Sequence, residues 1–170
     1  MDLITTMIEN PSEPFTGAAT DVSSDLVLGA DQENLIWHGC ADLLRRAGLR
    51  PTQQRQVLGS LLFANGGRHV TAAMLHDEAT AAGVQLSRAT VYNTLNQLTD
   101  AGLLRQIGVD GSISYFDTNP TGHHHFFVDH ENRLLDVPEP GVLIDPLPEP
   151  LPGYEIAGVD VVVHLRRKQG

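Results

Sequence analysis

Ser87-Arg88-Ala89-Thr90-Val91-Tyr92-Asn93-Thr94-Leu95-Asn96-Gln97-Leu98-Thr99-Asp100-Ala101-Gly102 reads as one helix with both ends marked. Ser87 is a good N-cap, and Gly102 supplies the left-handed stop. Val91, Leu95 and Leu98, at i, i+4 and i+7, make the apolar face. Arg88, Tyr92, Asn93 and Asn96 lie on the other side. Just upstream, Thr71 caps a helix running to about Ala82, with Met74, Leu75 and Ala79 inward and Gly83 closing it. Two helices, a short glycine-containing connection and a polar, hydrogen-bonding outer face form a helix-turn-helix pattern. Downstream, Leu103–Ile107 and Ile113–Phe116 flank Gly108-Val109-Asp110-Gly111, a hairpin signal. A hairpin in that place is a wing, and the unit reads as a winged helix. Its bland competitor is a small helical bundle whose arginines are merely solvated. Cap, stripe, polar face and wing agree on DNA. In that reading Arg88 reaches phosphate or guanine, and Tyr92 a thymine methyl or phosphate. Arg50 and Arg55 bind phosphate, while Ser87, Thr90 and Asn93 share the same helix end.

Further upstream, a helix is expected from Leu35 to Ala47, with Leu43, Leu44 and Ala47 apolar and Gly48 as its stop. Thr52 then caps a helix with the stripe Val57, Leu58, Leu61 and Leu62. Residues 1–34 are polar, acidic and aperiodic, and read as a disordered arm. The chain thus divides into the arm (1–34), a DNA-binding domain (35–117) and a smaller domain (118–170). The net charge of −10 seems to argue against a nucleic-acid partner, but its distribution reverses that. Residues 1–40 carry seven acids and no base, residues 41–108 carry seven arginines against four acids, and residues 109–170 carry four bases against ten acids. The basic character sits where the helix-turn-helix is. No apolar run approaches the roughly 20 residues of a membrane span. The start of the chain fits no secretory or mitochondrial signal, and a lone cysteine, Cys40, suits a reducing cytoplasm.

The second notable stretch is His123-His124-His125, just before the apolar run Phe126-Phe127-Val128. Strand alternation sends His123 and His125 to one side as a chelating pair and His124 to the other. A single histidine there would read as a polar strand end; three in a row favour metal or haem. Strands are expected around the turn Asp129-His130-Glu131-Asn132, with Leu134-Leu135-Asp136-Val137 as the second. Pro138, Pro140, Pro146, Pro148, Pro150 and Pro152 exclude a long regular helix between 138 and 152. Tyr154–Ile156 and Val159–Leu165 are further strand candidates, followed by the basic Arg166-Arg167-Lys168. A segment of this size suits dimerisation.

Leu49-Arg50-Pro51-Thr52-Gln53-Gln54-Arg55, Ala89-Thr90-Val91-Tyr92-Asn93-Thr94-Leu95, Tyr115-Phe116-Asp117-Thr118 and His123-His124-His125 together resemble the ferric-uptake-regulator (Fur) family. Within it the closest likeness is to the iron-response-regulator (Irr) branch of alphaproteobacteria, which the triple histidine and the ending Val-Asp-Val-Val-Val-His-Leu-Arg-Arg-Lys mark. The likeness covers about Asp42 to Lys168. It implies an α+β protein: an N-terminal winged helix followed by a small α/β dimerisation domain. It also implies a homodimer on AT-rich inverted-repeat double-stranded DNA. Its regulatory metal site maps to His69, Asp117, His123, His125 and Asp136, a donor set suited to Fe²⁺ or Mn²⁺, with Zn²⁺ as a substitute. The branch further implies haem as a ligand at His123, His124 and His125. Haem binding would release DNA upstream of genes for iron uptake, iron storage and haem biosynthesis.

The departures matter. Val128 and Glu131 stand where relatives carry a Cys-x-x-Cys pair, which excludes a Cys₄ structural zinc. Gly122 and Leu143 replace ligands of another family site. Gly39-Cys40-Ala41 breaks the Cys-Pro haem motif of some relatives, though His38 and Cys40 stay close enough to keep Cys40 as a weak axial candidate. Two alternatives remain: a peroxide-sensing regulator with the same three histidines and two aspartates, and a mononuclear metalloenzyme with Glu131 as its acid or base. The chain is expected not to be an enzyme, because no hydrolase motif surrounds Glu131.

Overall fold

The computed structural model describes residues 39–64, 66–111 and 113–168. The acidic arm, Leu35 and His38 lie outside them. Four helices come first: α1 (residues 39–46 as described), α2 (Gln53–Phe63), α3 (Ala72–Ala81) and α4 (Arg88–Asp100). Each of the last three starts on a hydroxyl. Thr52, Thr71 and Ser87 lie in extended backbone, and their side-chain oxygens accept the N–H of Arg55, Met74 and Thr90. Each satisfies a donor that a helix start leaves without an internal partner.

Three helices also end alike. After α4, Gly102 takes φ +71° and donates to the Thr99 carbonyl, and Leu103 donates to that of Leu98. Gly83 with Val84 repeats this after α3, and Gly48 with Leu49 after α1. The residue after each glycine is apolar and packs on the core. This is the helix-stop motif in which only glycine adopts the left-handed turn cheaply and the next side chain seals the end.

The core these ends surround is aliphatic. Leu44, Leu58, Leu62, Leu75, Val91, Leu95 and Leu98 are fully buried, with Phe116 among them. Met74 departs from its expected inward position and is 43% exposed. It starts a helical turn next to the Leu75/Ala79 stripe, so its neighbour takes the inward place.

A first sheet closes the helical half. Strands β1 (His69–Val70), β2 (Arg105–Gly108) and β3 (Ser114–Asp117) run antiparallel in the order β1-β3-β2. Strand β3 is buried along Tyr115, Phe116 and Asp117, because Phe116 faces the helices while Tyr115 faces a second sheet. That sheet contains β4 (His125–Val128), β5 (Arg133–Asp136) and β6 (Val162–Leu165) in the order β5-β4-β6. β4 and β5 form an antiparallel hairpin, and β6 lies parallel to β4. Ile107, Tyr115, Phe127 and Leu134 are buried between the sheets. The Tyr115 hydroxyl donates to the carbonyl of Asn132 in the hairpin turn.

Two expectations for the C-terminal part are corrected. An α/β character was implied for it, but among its described residues there are strands and loops only. The prolines explain this, since each removes an N–H and clashes with a preceding turn. Tyr154–Ile156 and Val159–Val161 are not strand either; the last strand is confined to Val162–Leu165. Residues 137–161 are a crossover that carries the chain back to a parallel position beside β4, and only its end meets a pairing edge.

Candidate metal centre

The two sheets meet at matching row ends. In the first, His69 on β1 and Arg105 on β2 both stand opposite Asp117 on β3. In the second, His125 on β4 stands opposite Asp136 on β5. His123, in the connection two residues before β4, completes the group. Ligand atoms of His69, Asp117, His123, His125 and Asp136 all lie within 4.8 Å of one another. His123 Nε2 is 3.0 Å from Asp117 Oδ2 and 3.1 Å from Asp136 Oδ1. His69 Nε2 is 2.9 Å from Asp136 Oδ1, and His125 Nε2 is 3.4 Å from Asp117 Oδ2. Asp117 and His125 are buried, whereas the Asp136 side chain is 54% exposed and opens the group to solvent.

The hydrogen-bond partners show what the group suits. His123 Nδ1 is 2.9 Å from the Thr121 carbonyl, which can only accept. Nδ1 therefore carries a hydrogen, and Nε2 faces a carboxylate oxygen of Asp117 and one of Asp136. His69 Nε2 is buried and makes no hydrogen bond in line, although Asp136 is near. Lone pairs and carboxylate oxygens converging at this spacing repel one another unless protons or a cation stand between them. Imidazole nitrogens with carboxylate oxygens suit borderline and hard divalent ions. The five residues fit such an ion.

Burial would raise the Asp117 carboxyl, but the hydrogen bond from His125, the nearby His69 ring and the backbone N–H of Asn119 outweigh it and hold the group well below the usual carboxylate range. Asp117 is thus ready as an anion despite its burial.

The other histidines go elsewhere. His124 is not among the five; its carbonyl accepts the Val137 N–H, and its Nδ1 is buried with no hydrogen-bond partner. His76 reaches the Leu86 carbonyl at 3.0 Å and ties α3 to the loop before α4. His130 accepts from Arg167, and His164 pairs with Asp129 at 2.9 Å. Glu131 faces His130 and Arg133 in the hairpin turn, at the end of β4 away from His125, so it has no place beside the five. Cys40 packs in the helical core against Gly59, and burial pushes its thiol up. A thiol held neutral inside a core is unsuited as a haem ligand.

On the helical face, Arg50, Ser87, Arg88, Tyr92 and Asn93 are exposed, and Thr90 is half-buried. Ser87 and Thr90 are joined by the cap itself, their hydroxyls 2.9 Å apart. Arg55 is committed internally: its guanidinium donates to Gln97 Oε1 at 3.1 and 2.9 Å and to the Arg50 carbonyl at 2.8 Å. It braces α2 against α4. Tyr92 lays its ring edge-on to Phe116, with centroids 6.3 Å apart.

Sequence reasoning missed Arg105, whose guanidinium lies behind the histidine run, and β1, which places His69. Two residues of strand carry no period, and nothing in the local sequence marks Arg105.

The profile described as "Ferric uptake regulator family" matches residues 46–143. The chain is similar to the peroxide-responsive repressor PerR of Staphylococcus epidermidis, 31% identical over 93 residues, which are 55% of this chain and 61% of that protein. It is likewise 31% identical over 97 residues to PerR of Staphylococcus aureus, covering 57% of this chain and 65% of the relative. The chain therefore spans less than two thirds of the length of these relatives. In fold it is similar to the ferric uptake regulator of Pseudomonas aeruginosa with manganese (TM-score 0.58, 23% identity, 76% of this chain and 98% of that one). The ferric uptake regulator of Vibrio cholerae is similar too (TM-score 0.58, 19% identity, 75% and 98%).

Proposed function

The chain belongs to the ferric uptake regulator family, and from that premise we propose that it is a metal-responsive, DNA-binding transcription regulator acting as a homodimer. One observation carries the reading: five convergent ligands drawn from both sheets, at the place where the helical half ends and the second sheet begins. A divalent ion there would neutralise two carboxylates and tie the sheets to each other. His69 and Asp117 would hold it from the first sheet, His125 and Asp136 from the second, and His123 from the link. The chain's own residues do the rest. Asp117 is kept ionised by its hydrogen-bond donors, Thr121 fixes the ring of His123, and β3 joins Asp117 to Phe116, which supports Tyr92 on α4. Ligand geometry and the outer face of α4 thus share one strand. Arg88, Tyr92 and Asn93 would enter the major groove, with Arg50 on phosphate.

For the signal we favour iron and haem, with iron uptake, iron storage and haem biosynthesis genes as targets. The supporting observation is His124, an imidazole outside the metal group with a buried nitrogen lacking a partner. Peroxide is the second reading. It is favoured by the names of the staphylococcal relatives and by the three-histidine, two-aspartate donor set, which would suit Fe²⁺.

A DNA-shift titration tests the core of this. Protein stripped of metal and reloaded with Mn²⁺ should prefer AT-rich inverted-repeat duplex to random duplex at near-physiological salt. Equal affinity for both duplexes, with and without Mn²⁺, would overturn it. Haem titrated into wild type and into a variant with His123, His124 and His125 all changed to Ala separates the signals. Haem-induced release that survives in the variant removes the triple histidine as the haem site, and a wild type that haem does not release from DNA removes the haem reading. Addition of one oxygen atom to His69 or His123 after dilute peroxide on the Fe²⁺ form establishes the peroxide one.

A further inference from the structure

Arg105 is the first residue of β2, with a side chain only 19% exposed. Its Nη1 donates to the carbonyls of Thr121 at 3.0 Å and His123 at 3.2 Å. Its Nη2 is ion-paired with Asp160, just before β6. The Thr121 carbonyl is also the acceptor that fixes His123 Nδ1–H. Arg105 therefore holds His123 twice, through the residue's own carbonyl and through the oxygen that sets its ring. Asp160 has a matching place on the other side. The next residue, Val161, accepts the His125 N–H with its carbonyl at 3.0 Å, and Val162 then pairs with His125.

We infer that Arg105 is a positioning residue for the metal centre, and that with Asp160 it forms a latch joining His123, the start of β6 and the hairpin β2–β3. The inference rests on the metal-regulator reading above and names how ligand geometry reaches the hairpin. Guanidinium chemistry suits the task. A planar fork with several N–H groups serves two carbonyls and a carboxylate together, whereas an ammonium is a single point of charge on a flexible stem. Arg105 also stands opposite Asp117 across the sheet, so the strand that carries the latch is in register with a ligand. Any shift of β2 moves the Thr121 and His123 carbonyls with it.

The test uses the full chain, stripped of metal and titrated with Mn²⁺ by calorimetry and with Co²⁺ by visible absorption, next to a DNA-shift titration. Residues that orient metal ligands typically change affinity by roughly 10–100-fold when replaced. Arg105→Gln should weaken Mn²⁺ binding by about that factor and alter the Co²⁺ ligand-field bands, while its metal-free melting curve stays cooperative. Arg105→Lys should keep the fold without recovering the affinity or the bands. Asp160→Asn, which leaves both carbonyl contacts in place, should give a smaller loss in the same direction and reduce the Mn²⁺-induced gain in DNA affinity. If R105Q does not fold, R105K and D160N carry the test alone. Wild-type Mn²⁺ affinity and Co²⁺ bands in the folded variants would overturn the latch and leave the regulator reading intact. A wild type that gains no DNA affinity from Mn²⁺ would overturn both.

Discussion

The two halves of this molecule are held together by different forces. Residues 39–117 bury an aliphatic core around Leu58, Leu95 and Phe116, with capped helix starts and three glycine-closed ends. Residues 118–168 add Phe127, Leu134 and the partly buried Val162 to a shared apolar cluster, and leave Leu143, Leu151 and Tyr154 at 91%, 71% and 75% exposure. What they do have are polar ties to the first half: the Tyr115–Asn132 hydrogen bond, the Arg105 contacts and the five-ligand group. The helical half is organised by burial, which acts without any ligand. The second sheet depends on directional contacts, and two carboxylates among its contacts repel until something neutralises them. On the metal-regulator reading, sensitivity to an ion is therefore concentrated on one side.

The largest expected effect is on the burial side. Phe116→Ala should cost about 3–5 kcal/mol in metal-free urea denaturation, by the usual loss of transfer energy and creation of a cavity. Leu134→Ala, in the small shared cluster, should fall near the low end of about 2–5 kcal/mol. A reversal of that order would break the contrast. Next comes the ion. Mn²⁺ at about 100 times its dissociation constant should add roughly 2.7 kcal/mol, and Asp117→Asn should abolish most of the gain. Hydrogen exchange sharpens the comparison: added protection is expected in residues 123–136 and β1, with little in α2 and α3. Ser87→Ala should cost about 1 kcal/mol through loss of the α4 cap, by the same amount with and without Mn²⁺. Calorimetric melting under both conditions checks this, and a metal-dependent penalty would mean that the halves are not separable.

The smallest effect concerns pH. Hydrogen bonds from Arg166 and then His164 hold the Asp129 carboxyl below its usual range. A depressed acid contributes stability that is present above the unfolded value of about 4 and is lost as pH falls through the lower folded value. The difference in melting temperature between wild type and Asp129→Asn should therefore be small at neutral pH and shrink on acidification. A difference that grows in acid would contradict the pairing.

The same contrast decides what could be read from the sequence. Stripes, caps and glycine stops in the helical half are local signals, and Thr52, Ser87, Gly83 and Gly102 act as their positions suggest. The hairpin turn Asp129–Asn132 was legible for the same reason. Tyr154–Ile156 had strand-forming residues but no edge to pair with, a fact that only the tertiary path of residues 137–161 supplies. The prolines argued correctly against a long regular helix between 138 and 152. Alternation predicted that His123 and His125 share a side although only His125 is in strand. Membership of His69, Asp117 and Asp136 in the same group came from family resemblance, because no local spacing brings residues 69 and 136 together. Arg105 was illegible on both counts: its contacts lie at Thr121, His123 and Asp160, far along the chain.

Asp136 has one more consequence. It is the solvent-facing member of an otherwise sheltered group, and the first sheet and His125 close the opposite side. On the regulator reading, an ion reaches or leaves the centre past this one carboxylate, by a side-chain rotation and not by opening either sheet. Exchange with the surrounding pool would then be fast compared with unfolding, so that occupancy follows the free concentration of the ion from moment to moment. The rim residue would make the centre a gauge and not a store.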